Sequence, residues 1–204
     1  MNKETILKGI IHLNNDLKIK PLIKKYNKPI FDNTLDNFNS IIKIIIYQQL
    51  SGKAANSIYL RFLDLFKETN ITPETVSNLK SSILRSTGLS HQKLNYIISL
   101  SNFFINGGQK IDFSLLSNEE IFNILIQIKG IGQWTIDMFL MFTLYREDVF
   151  PMGDLGIKKA VKKLYKMEDL PSKNEMQKLS KKWKPYRTLA CWYLWRFIDD
   201  EIFW

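Results

Sequence analysis

Apolar residues in this chain recur at helical spacing and almost nowhere in the alternation that a half-buried strand requires. Ile121, Ile124, Leu125 and Ile128 fall at i, i+3, i+4 and i+7. Ser117 and Glu120, just before the stripe takes hold, fit a capping box, in which each side chain satisfies an orphan N–H of the other's residue. Ile157, Ala160, Val161, Leu164 and Tyr165 form a second stripe, backed by Lys158, Lys159, Lys162, Lys163 and Lys166 on the opposite face. Ala54, Ala55, Ile58, Phe62 and Leu65 form a third. Thr72-Pro73 reads as an N-cap and first helical residue. Gly88 reads as a helix stop, Ser90 as the opening of a helix over 91–104, and 189–197 as a helix near the C-terminus. The one weak strand candidate, 28–33, is too short to carry a sheet. The pattern predicts an all-α fold of roughly nine to eleven short helices.

A length of 204 residues allows one large domain or two small ones sharing a seam. With 45% hydrophobic and 24% charged residues, disorder over most of the length is excluded. The formal net charge of +9 favours a polyanionic partner, nucleic acid ahead of an anionic membrane. A lone cysteine, Cys191, excludes an internal disulfide, a four-cysteine iron–sulfur cluster and a thiolate zinc site, and reads as buried packing. His12 and His91 have no metal-ligand spacing. The N-terminus has no apolar signal core, and the apolar runs 44–47 and 139–142 fall far short of the ~20 residues of a membrane span. The expectation is a soluble intracellular protein, in the cytoplasm or nucleoid of a bacterium or the nucleus of a eukaryote.

The sharpest local signal is Ile128-Lys129-Gly130-Ile131-Gly132-Gln133-Trp134-Thr135. A helix ending at Ile128 would give way to a Gly-x-Gly turn and a second helix from Gln133 to Phe142. Glycines let a backbone turn tightly and approach a ligand closely. The free N–H groups and positive dipole end of the second helix make an anion site. The alternative is a turn between two helices and nothing more. Apolar Leu125, Ile128 and Ile131 on both sides favour a helix–hairpin–helix, which grips a DNA backbone without reading its sequence. Gly130, Ile131, Gly132, Gln133 and Thr135, with Ser51 and Lys53 upstream, are the candidate backbone contacts. The carbonyls of Ile126, Ile128 and Gly130 could hold a monovalent cation, Na+ or K+; no other cofactor is required.

Downstream lies Phe150-Pro151-Met152-Gly153-Asp154-Leu155-Gly156-Ile157. Asp154 stands directly before the lysine-backed helix. As an N-cap it is worth about 1 kcal/mol over alanine. A carboxylate there could equally stabilise positive charge on a sugar, or orient a water toward its anomeric carbon.

The Gly-Ile-Gly-x-Trp-Thr hairpin, the Phe-Pro-x-Gly-Asp-Leu-Gly-Ile segment, the upstream Gln48-Gln49-Leu50-Ser51-x-x-Ala54-Ala55 and the late Trp183-Lys184-Pro185-Tyr186-Arg187-x-x-Ala190 together resemble the helix–hairpin–helix (HhH-GPD) DNA glycosylases. Within them the likeness is to the 3-methyladenine DNA glycosylase II family, from about 41 to 197. The resemblance implies two helical lobes, 37–148 and 1–36 plus 149–204, with a DNA cleft between them. It implies a monomer acting on double-stranded DNA with damaged bases, and no membrane partner. It implies that a damaged purine is rotated out of the stack and that Asp154 serves its excision. Bifunctional relatives carry a lysine nucleophile in the slot taken here by Trp134, which implies a monofunctional enzyme leaving an abasic site. Trp195 matches the family's base-stacking tryptophan; Trp134, Tyr47, Met138 and Trp192 are further candidates for a π-rich base pocket, or else core residues. Gln49, with Leu50 second, is the candidate wedge that fills the gap left by the flipped base. The lysine helix and Lys181-Lys182-x-Lys184 would flank the DNA, or be solvated faces. Competing readings are a relative acting on oxidised or deaminated bases, and a non-catalytic DNA-binding module.

Overall fold

The computed structural model of the protein describes residues 1–31 and 34–199. Twelve α-helices and no strand occur among them, so the fold is all-α, with more helices than the sequence pattern announced. The surplus has a physical cause. Three helices are only six residues long, too short to display a period.

By packing, the chain divides into two compact units, whose described parts are 1–31 with 140–199, and 34–139. The division falls between Phe139 and Leu140, earlier than the expected boundary at 148; residues 200–204 of the expected second lobe lie outside the described residues. In chain order the first unit opens with α1 (Lys3–Leu13) and α2 (Lys20–Lys25). The second unit holds α3 (Asn37–Tyr47), α4 (Gly52–Asp64), α5 (Pro73–Asn78), α6 (Ser81–Ser86), α7 (His91–Ile105), α8 (Asn118–Leu125) and most of α9 (Gln133–Phe142). The first unit is completed by α10 (Leu155–Tyr165), α11 (Lys173–Ser180) and α12 (Arg187–Ile198).

In the 34–139 unit, α3 packs against α4 and α7, and α5 and α6 also rest on α7. Helix α3 buries Phe38, Ile41, Ile42, Ile44, Ile45 and Ile46, so it is apolar nearly all round, as a central helix must be. Isoleucine is a stiff β-branched residue; burial on every side overrides that preference. Asp36 caps α3, Ser51 caps α4, Thr72 caps α5 and Ser90 caps α7. The box of Ser117 with Glu120 is formed at α8. Gly88, with φ +98°, stands just past α6 where a left-handed residue ends a helix.

Three expectations need correction. Helix α8 stops at Leu125, so Ile128 packs from the turn and not from the helix. On α4 the buried face is Ala55, Tyr59 and Phe62, while Ala54 is exposed and Ile58 half-buried: the stripe is rotated from the one predicted. Of the candidate strand, 28–31 have no regular structure, and Asp32 and Asn33 lie outside the described residues.

In the other unit α12 packs against α10, α1 and α2, with Leu189, Ala190, Cys191, Tyr193 and Leu194 buried. Asp16 ties the segment after α1 to the segment before α12. Its Oδ2 accepts the indole N–H of Trp183 at 2.7 Å and pairs with Lys182 Nζ at 2.9 Å, and its Oδ1 accepts the Lys18 amide at 2.7 Å. Burial pushes this carboxyl upward, but the bonds from Lys182, Trp183 and Lys18 outweigh it and hold Asp16 below the usual carboxylate range. Lys182, one of the basic cluster read as flanking DNA or as a solvated face, is half-exposed and forms an ion pair within its own unit. A carboxyl lowered on folding contributes stability that is present above its unfolded value and lost as pH falls through the folded one. Asp16→Ala, which deprives the fully buried Trp183 of its acceptor, should cost about 1–3 kcal/mol at pH 7 in denaturant melts. The loss should shrink below about pH 4, where the carboxyl in the unfolded chain is protonated. A melt unchanged at pH 7 would contradict this.

Candidate active site

Asp154 is the N-cap of α10. It lies at the end of a bend in which its own amide donates to the Pro151 carbonyl at 2.9 Å. Its Oδ1 accepts two N–H bonds, from the Ile157 amide at 2.7 Å and from the Trp195 indole at 3.0 Å. The residue is only 9% exposed. A carboxylate so buried persists because donors replace its lost water, and the positive end of α10 adds to them. The bland reading of Asp154 as a cap is therefore true, and it describes how the group is held.

Two features keep this pair in register. Gly156 lies against it: a Cβ there would sit 3.1 Å from Asp154 Oδ1 and 3.1 Å from Trp195 Cδ1. The start of α12, the helix that carries Trp195, is clasped to the loop before Asp154. Arg187 pairs with both carboxylate oxygens of Asp148 through Nε and Nη2, the latter at 3.0 Å. Thr188 donates its hydroxyl to the Arg146 carbonyl at 2.6 Å and accepts the Val149 amide at 3.2 Å. The Trp195 ring packs at 5.7 Å from that of Phe142 and is 8% exposed. Trp192, half-buried on the same helix, meets Tyr193 edge-on at 5.2 Å.

The other candidates belong to the 34–139 unit. The hairpin turn runs from Ile126 to Gly132 between α8 and α9. Gly130 has φ +91°, and a Cβ there would clash with the ring of Tyr96, closest at its Cγ. Gly132 is exposed and a Cβ there would meet nothing within 4 Å, so its own unit does not require a glycine there. Gln48 Nε2 donates to the Gly130 carbonyl and to Thr135 Oγ1, both at 2.9 Å. Thr135, predicted as a backbone contact, is buried, and its hydroxyl accepts from Gln48 within its own unit. Ile131 turns its side chain inward, and Gln133 Nε2 donates to Asp137 Oδ1 at 2.8 Å. Lys53 is exposed on the first turn of α4, and Ser51 Oγ accepts the Ala54 amide at 3.4 Å. Gln49 stands at φ +57°, exposed, beside Leu50, which is 41% exposed.

Tyr47 and Met138 are core residues of this unit. Tyr47 is buried and donates to Asn56 Oδ1 at 3.2 Å, and burial pushes its hydroxyl pKa up to about 12. Met138 is fully buried; Trp134, the second residue of α9, is half-buried. Sequence reasoning missed Gln48, Gly156 and the Arg187–Asp148 clasp as parts of the site. All three lie inside or beside the quoted motifs.

The family model for HhH-GPD superfamily base excision DNA repair proteins matches residues 42–185. The chain belongs to that superfamily. It is 34% identical over 199 residues to DNA-3-methyladenine glycosylase 1 of Schizosaccharomyces pombe, spanning 94% of this chain and 87% of the relative. It is 31% identical over 207 residues to the DNA-3-methyladenine glycosylase of Saccharomyces cerevisiae, spanning 93% of this chain and 69% of that one. The solved structure of the Schizosaccharomyces pombe 3-methyladenine DNA glycosylase Mag1 in complex with abasic DNA superposes with a TM-score of 0.85 at 35% identity, covering 93% of this chain and 95% of that chain.

The two hairpin glycines should separate in melts. Gly130→Ala, sterically blocked and at positive φ, should lose roughly 1–3 kcal/mol, whereas Gly132→Ala should leave the midpoint where it is. Equal losses at both positions would refute this assignment.

Proposed function

We propose that the protein is a monofunctional DNA glycosylase that excises alkylated purines, of the 3-methyladenine and 7-methylguanine type, from duplex DNA and leaves an abasic site. The observation that carries the reading is the Asp154 carboxylate, fixed through Oδ1 by two N–H donors at the head of α10.

An alkylated purine nucleoside is already cationic, so its base leaves readily. The N-glycosidic bond breaks with its electron pair going to the base, which departs neutral, and positive charge passes to the sugar. A fixed carboxylate stabilises that charge as it develops. Water then adds at C1′ and its proton passes to Asp154 or to solvent. Trp134 stands where a Schiff-base lysine would be needed, so the strand is not nicked.

The hairpin supplies the grip. Gly132 is exposed with open space where a Cβ would stand, and its backbone, with the amides opening α9, suits a phosphate. The carbonyls of Ile128 and Gly130 already accept the Ile131 amide and Gln48 Nε2. Each keeps a second lone pair, with which, together with the Ile126 carbonyl, it would hold a Na+ or K+ that adds positive charge against a phosphate. The exposed Lys159, Lys163 and Lys166 of α10 add salt-sensitive affinity. Trp195 and Trp192 are the pocket candidates of the 140–199 segment.

Incubation with methylated duplex DNA should release 3-methyladenine and 7-methylguanine, while duplexes containing 8-oxoguanine or uracil should stay intact. Asp154→Asn should slow release by roughly 10²–10⁴-fold. Borohydride should trap no covalent adduct. Gly132→Ala should weaken duplex binding without shifting the melting point. Full activity in Asp154→Asn would overturn the mechanism, and an adduct would overturn the monofunctional assignment.

A further inference from the structure

The turn between α3 and α4 holds Gln49 at φ +57°, a left-handed conformation that is uncommon for a residue other than glycine. Such a conformation persists where its surroundings over-determine it, and they do so here. Helix α3 ends with four carbonyls that have no partner within the helix. The Gln48 amide reaches those of Ile44 and Ile45, and the Leu50 amide reaches that of Tyr47 at 3.4 Å. The remaining one, Ile46, is taken by a side chain from a different helix: Lys93 Nζ donates to it at 2.8 Å. The same ammonium donates to the Gln48 carbonyl, also at 2.8 Å, directly before Gln49. Lys93 is half-buried at the negative end of the α3 dipole, and burial lowers its pKa from the usual lysine value.

One turn further along α7, Tyr96 packs over Gly130. Lys93 and Tyr96 are three residues apart and share a helix face. The Gln48 side chain closes the circuit by donating to the Gly130 carbonyl and to Thr135. One face of α7 therefore supports both the exposed Gln49-Leu50 turn and the hairpin glycine, within a single unit.

Resting on the glycosylase reading, we infer that Lys93 is a positioning residue that fixes the Gln49-Leu50 turn in the shape in which it enters DNA. It touches neither the base nor the sugar. Its ammonium locks the carbonyls on either side of Tyr47-Gln48, and so sets the direction in which the wedge side chains leave the turn.

The test is single-turnover release of methylated purine from duplex DNA by Lys93→Met, which keeps the stem of the side chain and removes its donors. The rate should fall roughly ten- to a hundredfold, the scale of a misplaced group, with affinity for undamaged duplex retained. In a Gln49→Ala/Leu50→Ala background the same change should add less than about threefold, because no wedge remains to be aimed. Should Lys93→Met fail to fold, Lys93→Gln carries the same comparison. An unchanged rate in the single variant overturns the inference, and so does an equal loss in both backgrounds, the mark of a merely structural lysine. Wild-type protein that releases no purine defeats the glycosylase reading and this role with it; an active wild type beside an unaffected Lys93 variant defeats only the role.

Discussion

One oxygen of Asp154, accepting from the Ile157 amide and the Trp195 indole, is the point on which the 140–199 segment converges. A carboxylate this buried is costly unless donors replace its hydration. The fold provides them from two directions. Helix α10 begins there and contributes an amide and the positive end of its dipole. Helix α12 lies alongside and contributes the indole. The Arg187–Asp148 pair and the Thr188 hydroxyl fasten the start of α12 to the loop that delivers Asp154, and Gly156 leaves room for the pair to meet. In the proposed reaction this fixing is an advantage, since a carboxylate set in place beforehand need not reorganise as charge appears on the sugar.

The 34–139 unit shows the same economy of backbone groups. Its buried α3 ends in a strained turn whose carbonyls are shared among the Gln48 and Leu50 amides and the Lys93 ammonium. Gln48 joins that turn to the hairpin, where Gly130 yields to the Tyr96 ring. What faces outward is what a partner can use: the Gly132 backbone, Lys53, and the side chains of Gln49 and Leu50.

Much of this was legible in the sequence because it is local. Caps at Ser117, Thr72, Ser90 and Asp154 depend on residues within one turn, and the order of four short motifs pointed to the superfamily. What was not legible depends on partners distant in sequence. Six-residue helices carry too little pattern to register. The face that α4 buries is chosen by neighbours that no spacing rule knows. Thr135 reads as one of the residues of a phosphate loop, and its hydroxyl accepts from Gln48, 87 positions away. Trp195 reads as a base-stacking ring, yet its N–H is spent on Asp154. Lys182 reads as one of a basic cluster, yet it belongs to Asp16. In each case a buried or half-buried polar atom found its partner across the fold.

In the proposed reaction the anchored carboxylate does the chemistry and the indole N–H helps to aim it. Single-turnover excision by Trp195→Phe tests this directly, because phenylalanine keeps an aromatic ring in the buried position and removes the N–H donor. Release should slow roughly ten- to a hundredfold, the worth of one hydrogen bond to a charged group, with binding to abasic-site DNA preserved. Release at the wild-type rate would show that Asp154 needs no such anchor, and would contradict that role.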